Sequence, residues 1–145
     1  MRVDFYLLSH GTVEQALPQI AKRVKDAGQR MLVVSDNVEQ LAALNASLWD
    51  QYPADFLAHG VSGDGHAARH PLLLSDNCEP ENGARFIALA DGQWREEALE
   101  FDRAFLFFDA ATIDGARGCW RMLGTREDTE RHFWKQDGGR WVEGP

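Results

Sequence analysis

The segment ARGCWRML, residues 116–123, places Arg117, Trp120 and Arg121 at positions i, i+3 and i+4. On a helix these three share one face, with neighbouring Cβ atoms about 5–6 Å apart. Two guanidinium groups beside an indole could grip a carboxylate bidentately and shelter an apolar side chain next to it. The same spacing also suits a plainer arrangement: Trp120 half buried in a core, with arginine stems lying over it. Gly118, between the arginines, costs a helix about 1 kcal/mol against alanine and marks a place for a kink or a close backbone approach.

Other residue types could do chemistry, but their spacing is poor. Ser9 and His10 are a nucleophile and a base by type. Adjacent residues at a strand end point to opposite sides, so a direct hydrogen bond between them is not expected. His59, His66 and His70 could gather around a metal, yet intervals of seven and four match no helix or ribbon template. The loop Gly60–Gly65 is glycine-rich but carries no lysine, and the chain's lysines are Lys22, Lys25 and Lys135. No G-x-x-x-x-G-K-[ST] run occurs, so a phosphate loop is not expected. No group meets the geometric demands of catalysis, and neither a metal nor a cofactor is expected.

The chain that must position these residues has 145 amino acids and a formal net charge of -8. The excess is uneven: residues 1–110 hold 17 acids against 9 Lys/Arg, and residues 111–145 hold 6 of each. An acidic body argues against sequence-independent DNA binding, which neutralises phosphates. It leaves room for a local basic pocket that takes an acidic peptide with a free C-terminus. With 44% apolar residues the chain can bury a core. No run reaches the ~20 apolar residues that cross a bilayer. The N-terminal run MRVDFYLLSHG is too short and too acidic for a secretory signal, which predicts a cytoplasmic protein without a membrane role. Cys78 and Cys119 are too far apart for a zinc ribbon and are expected as reduced thiols.

The elements follow from hydrophobic period. Val3–Ser9 and Arg30–Ser35 read as buried strands, each followed by a cap-like pattern (Thr12 with Gln15, then Asp36 with Glu39) and a helix. Further strands are predicted at Pro71–Leu74, Arg85–Ala90 and Arg103–Phe108, with a short one at Asp55–Leu57. Gly60–His70 reads as a loop, Trp94–Phe101 as a short helix, Ala110–Gly124 as a helix and Glu127–Lys135 as a second helical stretch. Strand–helix alternation with unbroken apolar strands predicts one α/β domain with a mostly parallel sheet covered on both faces.

Several short matches run in order along the chain: Phe5-Tyr6-Leu7-Leu8, Gly28-x-Arg30, Leu44-x-x-x-Leu48-Trp49, Phe56-Leu57-x-His59-Gly60, Pro71-Leu72 and Ala116-Arg117-x-x-Trp120-Arg121. Together they make the chain resemble the chi subunit of bacterial DNA polymerase III, an accessory subunit attached to the clamp loader. The resemblance implies a three-layer α/β/α sandwich similar to a nucleotide-binding or helicase-like domain without a phosphate loop, and no catalytic activity. It implies binding of the acidic C-terminal tail of single-stranded-DNA-binding protein, which ends in a phenylalanine carboxylate, so DNA is met only indirectly. A small second subunit, psi or an equivalent, is implied as the link to the clamp loader. Carried over by motif, Arg117 and Arg121 would meet the tail's carboxylates. The family usually has tyrosine and lysine where this chain has Trp120 and Arg121, which keeps an aromatic and a base. Trp49 and Phe56 would wall the pocket for the terminal ring. The match is poorest over 60–70 and 125–145, and the latter segment adds Trp134 and Trp141 with no role assigned. The alternative readings are a small nucleotide- or phosphate-binding enzyme using the Ser9–Thr12 strand end, and direct single-strand DNA binding through Arg117, Arg121 and the C-terminal tryptophans, which the net charge of -8 opposes.

Overall fold

The apolar runs become the inner strands of one twisted sheet. The computed structural model describes residues 1–51, 59–61, 70–137 and 140–144, with the backbone alone at 49–51 and 59–61. Among them lie eight strands and three α-helices: β1 (Arg2–Leu7), α1 (Val13–Asp26), β2 (Met31–Val34), α2 (Val38–Gln51), β3 (His59–Val61), β4 (Leu72–Ser75), β5 (Phe86–Leu89), β6 (Arg103–Phe108), α3 (Ile113–Gly124), β7 (Glu130–Asp137) and β8 (Arg140–Glu143). The sheet order is β3-β4-β2-β5-β6-β1-β7-β8. The first seven run parallel, and β8 returns antiparallel along β7.

Alternation along the strands builds two cores. Tyr6, Val33, Leu74, Phe105 and Phe107 face α1 and α2. Phe5, Leu32, Leu73, Leu106 and Phe108 face α3 and a 3₁₀ helix at Glu96–Glu100. Each large side chain fully buried this way contributes roughly 1.5–3 kcal/mol, which is why strands apolar on both faces commit to the centre of a sheet. The predicted three-layer α/β/α arrangement with a mostly parallel sheet is borne out.

Local chemistry sets the helix ends. The α1 capping box forms, with the Thr12 N–H donating to Gln15 Oε1 at 3.1 Å. Pro18, inside α1, has no N–H for the carbonyl of Glu14, and the Ser47 hydroxyl from α2 donates to that carbonyl instead. Gly28 closes α1 with φ of 77°, while the Gln29 N–H reaches the Val24 carbonyl at 3.1 Å. The cap of α2 is Asn37 rather than the expected Asp36. Its Oδ1 accepts from the N–H groups of Glu39 (2.9 Å) and Gln40 (3.2 Å). Asp36 is turned instead toward Arg95, at 3.1 Å.

Three further expectations are corrected. Glu127–Lys135 is not helical: from Glu130 it is strand β7, pairing along β1. Its side chains divide between the two cores with period two, Phe133 on the α3 side and Trp134 on the α1 side. Trp94–Phe101 shortens to the 3₁₀ segment Glu96–Glu100. The expected loop at 60–70 overlaps β3, which pairs with β4. The expected strand at Asp55–Leu57 lies outside the described residues.

Candidate functional site

Helix α3 runs unbroken through Gly118, and a Cβ added there would meet nothing within 4 Å, so no close backbone approach is present at that position. The buried side of α3 is Ala116, Cys119 and Leu123. Burial, reinforced by the charge of Glu96, pushes the Cys119 thiol up to about 12. It is therefore held as an inert thiol.

Between α3 and the sheet lies a cavity of about 310 Å³. Phe5, Phe108 and Phe133 contribute its aromatic surface, Ile113 and Trp120 come from α3, and Arg117 is the charged residue of its lining. Trp120 is half buried, edge-on to Phe5 with ring centroids 5.1 Å apart. Trp120 packs on the core and also walls an open cavity. The arginine stacked on it is neither Arg117 nor Arg121. It is Arg131 of β7, whose guanidinium carbon lies 4.4 Å from the indole centroid. Arg131 Nη1 also donates to the Trp120 carbonyl at 2.8 Å, a second donor on an acceptor in the last turns of α3. A Cβ on Gly124 would come within 2.7 Å of that guanidinium, so glycine leaves space for it.

Arg117 extends from the cavity toward water. Its side chain is 64% exposed, and its nearest carboxylate is Asp114 at 3.9 Å, an exposed pair that adds little stability. Arg121, one turn on, is exposed on the same helix. The structure thus brings Arg117 and Trp120 to one cavity, with Arg121 beside it. Trp49 is carried on α2, which stands on the opposite face of the sheet, where Leu44 and Leu48 join the α1 core. The fold does not bring that helix to the Arg117–Trp120 face. The Trp49 side chain and all of Phe56 lie outside the described residues. Phe5, Phe133 and Arg131 were missed in the sequence. Phe5 was readable only as a core residue, and the other two sat in a segment read as helix.

The remaining candidates are also placed. Ser9 and His10 are exposed at the end of β1, and their N–H groups donate to Gln136 Oε1 at 3.0 and 2.8 Å. No Ser9–His10 hydrogen bond is present among the described residues. The neighbouring strand-end cavity, about 250 Å³, is lined by three acids, Glu14, Asp91 and Asp109. Burial would raise the Asp91 pKa, but hydrogen bonds from Arg95 and the Asp36 N–H outweigh it and hold it below the usual carboxylate range. No group of three His, Cys, Asp or Glu among the described residues could hold a metal. Of the three histidines considered for one, only the His70 side chain is described. No helix among the described residues is long and apolar enough to cross a membrane.

No curated protein matches the chain. A family model does: the one described as DNA polymerase III chi subunit, HolC, matches residues 1–129, ending one residue before β7. That span is most of the chain and includes the whole of α3, and on it this protein belongs to the DNA polymerase III chi subunit family.

Proposed function

We propose that this replication accessory subunit binds the acidic C-terminal tail of single-stranded-DNA-binding protein in the α3 cavity. Membership of the chi family supports the accessory role in DNA replication. The observation that carries the site is the pairing of an aromatic-walled cavity with one guanidinium at its mouth. A terminal phenylalanine ring would enter between Trp120 and Phe133, and its carboxylate would meet Arg117. Arg121 would meet an acidic residue further back along the tail, by charge alone. The clamp loader is the proposed place of action, with a psi-like subunit as the link.

Few side chains are buried in such a complex, so affinity should be micromolar, on the order of -8 kcal/mol. It should weaken with salt, because the charged contacts are at the rim. The test is calorimetric titration with an acidic peptide ending in Ile-Pro-Phe, against the same peptide amidated. Binding that needs the free carboxylate and is lost in Arg117→Glu supports the reading. Equal binding of both peptides, or binding unchanged in Arg117→Glu, overturns it.

The strand-end cavity favours no second reading. Helix N-termini converge there, but a phosphate would face the carboxylates lining it.

A further inference from the structure

A further cavity, about 250 Å³, lies on the face of the sheet opposite α3, between α1 and the β7–β8 hairpin. It carries three arginines, Arg2, Arg23 and Arg103, in a chain whose net charge is -8. One buried carboxylate opposes them. Asp4 is fully buried and accepts from Arg2 Nη2 at 3.0 Å, Arg103 Nε at 2.7 Å and Trp134 Nε1 at 2.9 Å. It is the anchor that orients two guanidinium groups and one indole around the same space. Each guanidinium has five N–H groups, more than Asp4 can engage. Arg23, exposed on α1, has no carboxylate partner among the described residues. These four side chains sum to +2, and Glu130, close enough to act on Arg2, offsets part of it.

The walls are aromatic. Trp134 stacks on Tyr6 at 6.2 Å and Trp141 meets Tyr6 edge-on at 4.9 Å. Both indoles are half buried, as is Phe86 on the far side. Trp134 and Trp141 lie beyond the residues that the family model matches. Arginine forks beside half-exposed aromatic faces are the elements that hold a phosphate and stack a base.

We propose that this cavity binds a nucleotide unit, its phosphate held by Arg2, Arg23 and Arg103 and its base lying against Trp134 and Trp141. The location is unusual for a parallel sheet, whose ligands sit at the carboxyl ends of strands. Here the strand-end cavity is acidic, and the cations stand at the amino ends of β1 and β6. The C-terminal end of α1 opposes an anion with its dipole, about half a unit charge, less than the +2 of the cluster. The shared chemistry, a base with a phosphate, comes either from a free nucleotide or from a unit within a single strand.

The test is calorimetric titration of the full chain with a deoxynucleoside monophosphate and with inorganic phosphate. A labelled short single-stranded oligonucleotide is followed in parallel by fluorescence anisotropy at low salt. Binding of the monophosphate identifies the free nucleotide as the source, and binding of the oligonucleotide alone identifies the strand; either supports the site. Arg23→Gln, which leaves the Asp4 anchor intact, should weaken that binding about tenfold while circular dichroism and Ile-Pro-Phe peptide binding stay unchanged. Trp141→Phe should weaken nucleotide but not phosphate. Failure of both nucleotide and oligonucleotide to bind overturns the proposal. So does equal affinity for inorganic phosphate, displacement by the acidic peptide, or binding that Arg117→Glu abolishes and Arg23→Gln does not.

Discussion

Arg117 can be truncated without disturbing the core, and Trp120 cannot. The first is mostly in water with one distant acid, so Arg117→Ala should change stability by no more than about 0.5 kcal/mol. Trp120→Ala removes the contacts to Phe5 and Arg131 and should cost about 2–3 kcal/mol, below the ~3–5 of a fully buried tryptophan. Thermal or urea melting of the two variants checks this, and equal losses would show that Arg117 is part of the packing. The i, i+3, i+4 spacing made both residues legible in the sequence. Asp4 was not legible: it sits in a strand read as apolar, and its partners Arg103 and Trp134 are 99 and 130 residues away. Asp4→Ala leaves two arginines and an indole N–H without their acceptor. Removing one member of a buried ion pair costs about 3–5 kcal/mol, and the low end applies because Arg2 and Arg103 can turn to water. A loss under about 1 kcal/mol in urea melting would mean that water, not Asp4, satisfies those groups.

Strand β7 shows where period alone misleads. Read in isolation, Glu127–Lys135 has charges and aromatics at spacings that also serve a helix. In the sheet it covers the otherwise open edge of β1, and backbone pairing with β1 outweighs local preference. The inner strands were legible because they are apolar on both faces, which admits few alternatives. An edge strand with one polar face and a return hairpin carries no such constraint. This element also locks α3 in place: Arg131 reaches from β7 over the Trp120 ring to the Trp120 carbonyl. Arg131→Ala should therefore cost about 1–2 kcal/mol, from one hydrogen bond and one cation–π contact. Gly124→Ala should nudge the flexible guanidinium aside and gain helix propensity, leaving stability nearly level. Melting of both variants tests the Arg131 clamp between β7 and α3, and no loss in Arg131→Ala would contradict it.

Across the whole molecule the α3 cavity and the arginine cavity stand on opposite faces of one sheet, and its titrating groups give stability two limbs in pH. His132 on β7 sits between carboxylates, with Nδ1 2.8 Å from Glu143 and Nε2 3.0 Å from Glu130. The hydrogen bond to Glu143 first, then the close Glu130 carboxylate, raise its pKa, against some loss from burial. A raised histidine stabilises the fold fully below its unfolded value of about 6.5, and that contribution disappears as pH climbs through the higher folded value. Asp91 has the opposite sign. Its folded pKa is depressed, so its contribution is complete above about 3.9 and is lost as pH falls through the lower folded value. Asp102 and Glu130 are shifted the same way but exposed, and solvent screening leaves them little weight. Falling pH also relaxes the self-repulsion of a chain with net charge -8 and pI near 5.0. Melting temperature should thus peak at roughly pH 4.5–6.5 and decline on both sides. Two sources feed the neutral limb, and His132→Gln separates them: the decline above about pH 6.5 should become shallower, while the acid limb stays as it was. Because His132 bridges β7 and β8, the variant should also speed amide exchange in Arg140–Glu143 before it affects β1. A neutral limb of unchanged slope would assign the decline to net charge alone and remove the histidine clamp from the hairpin.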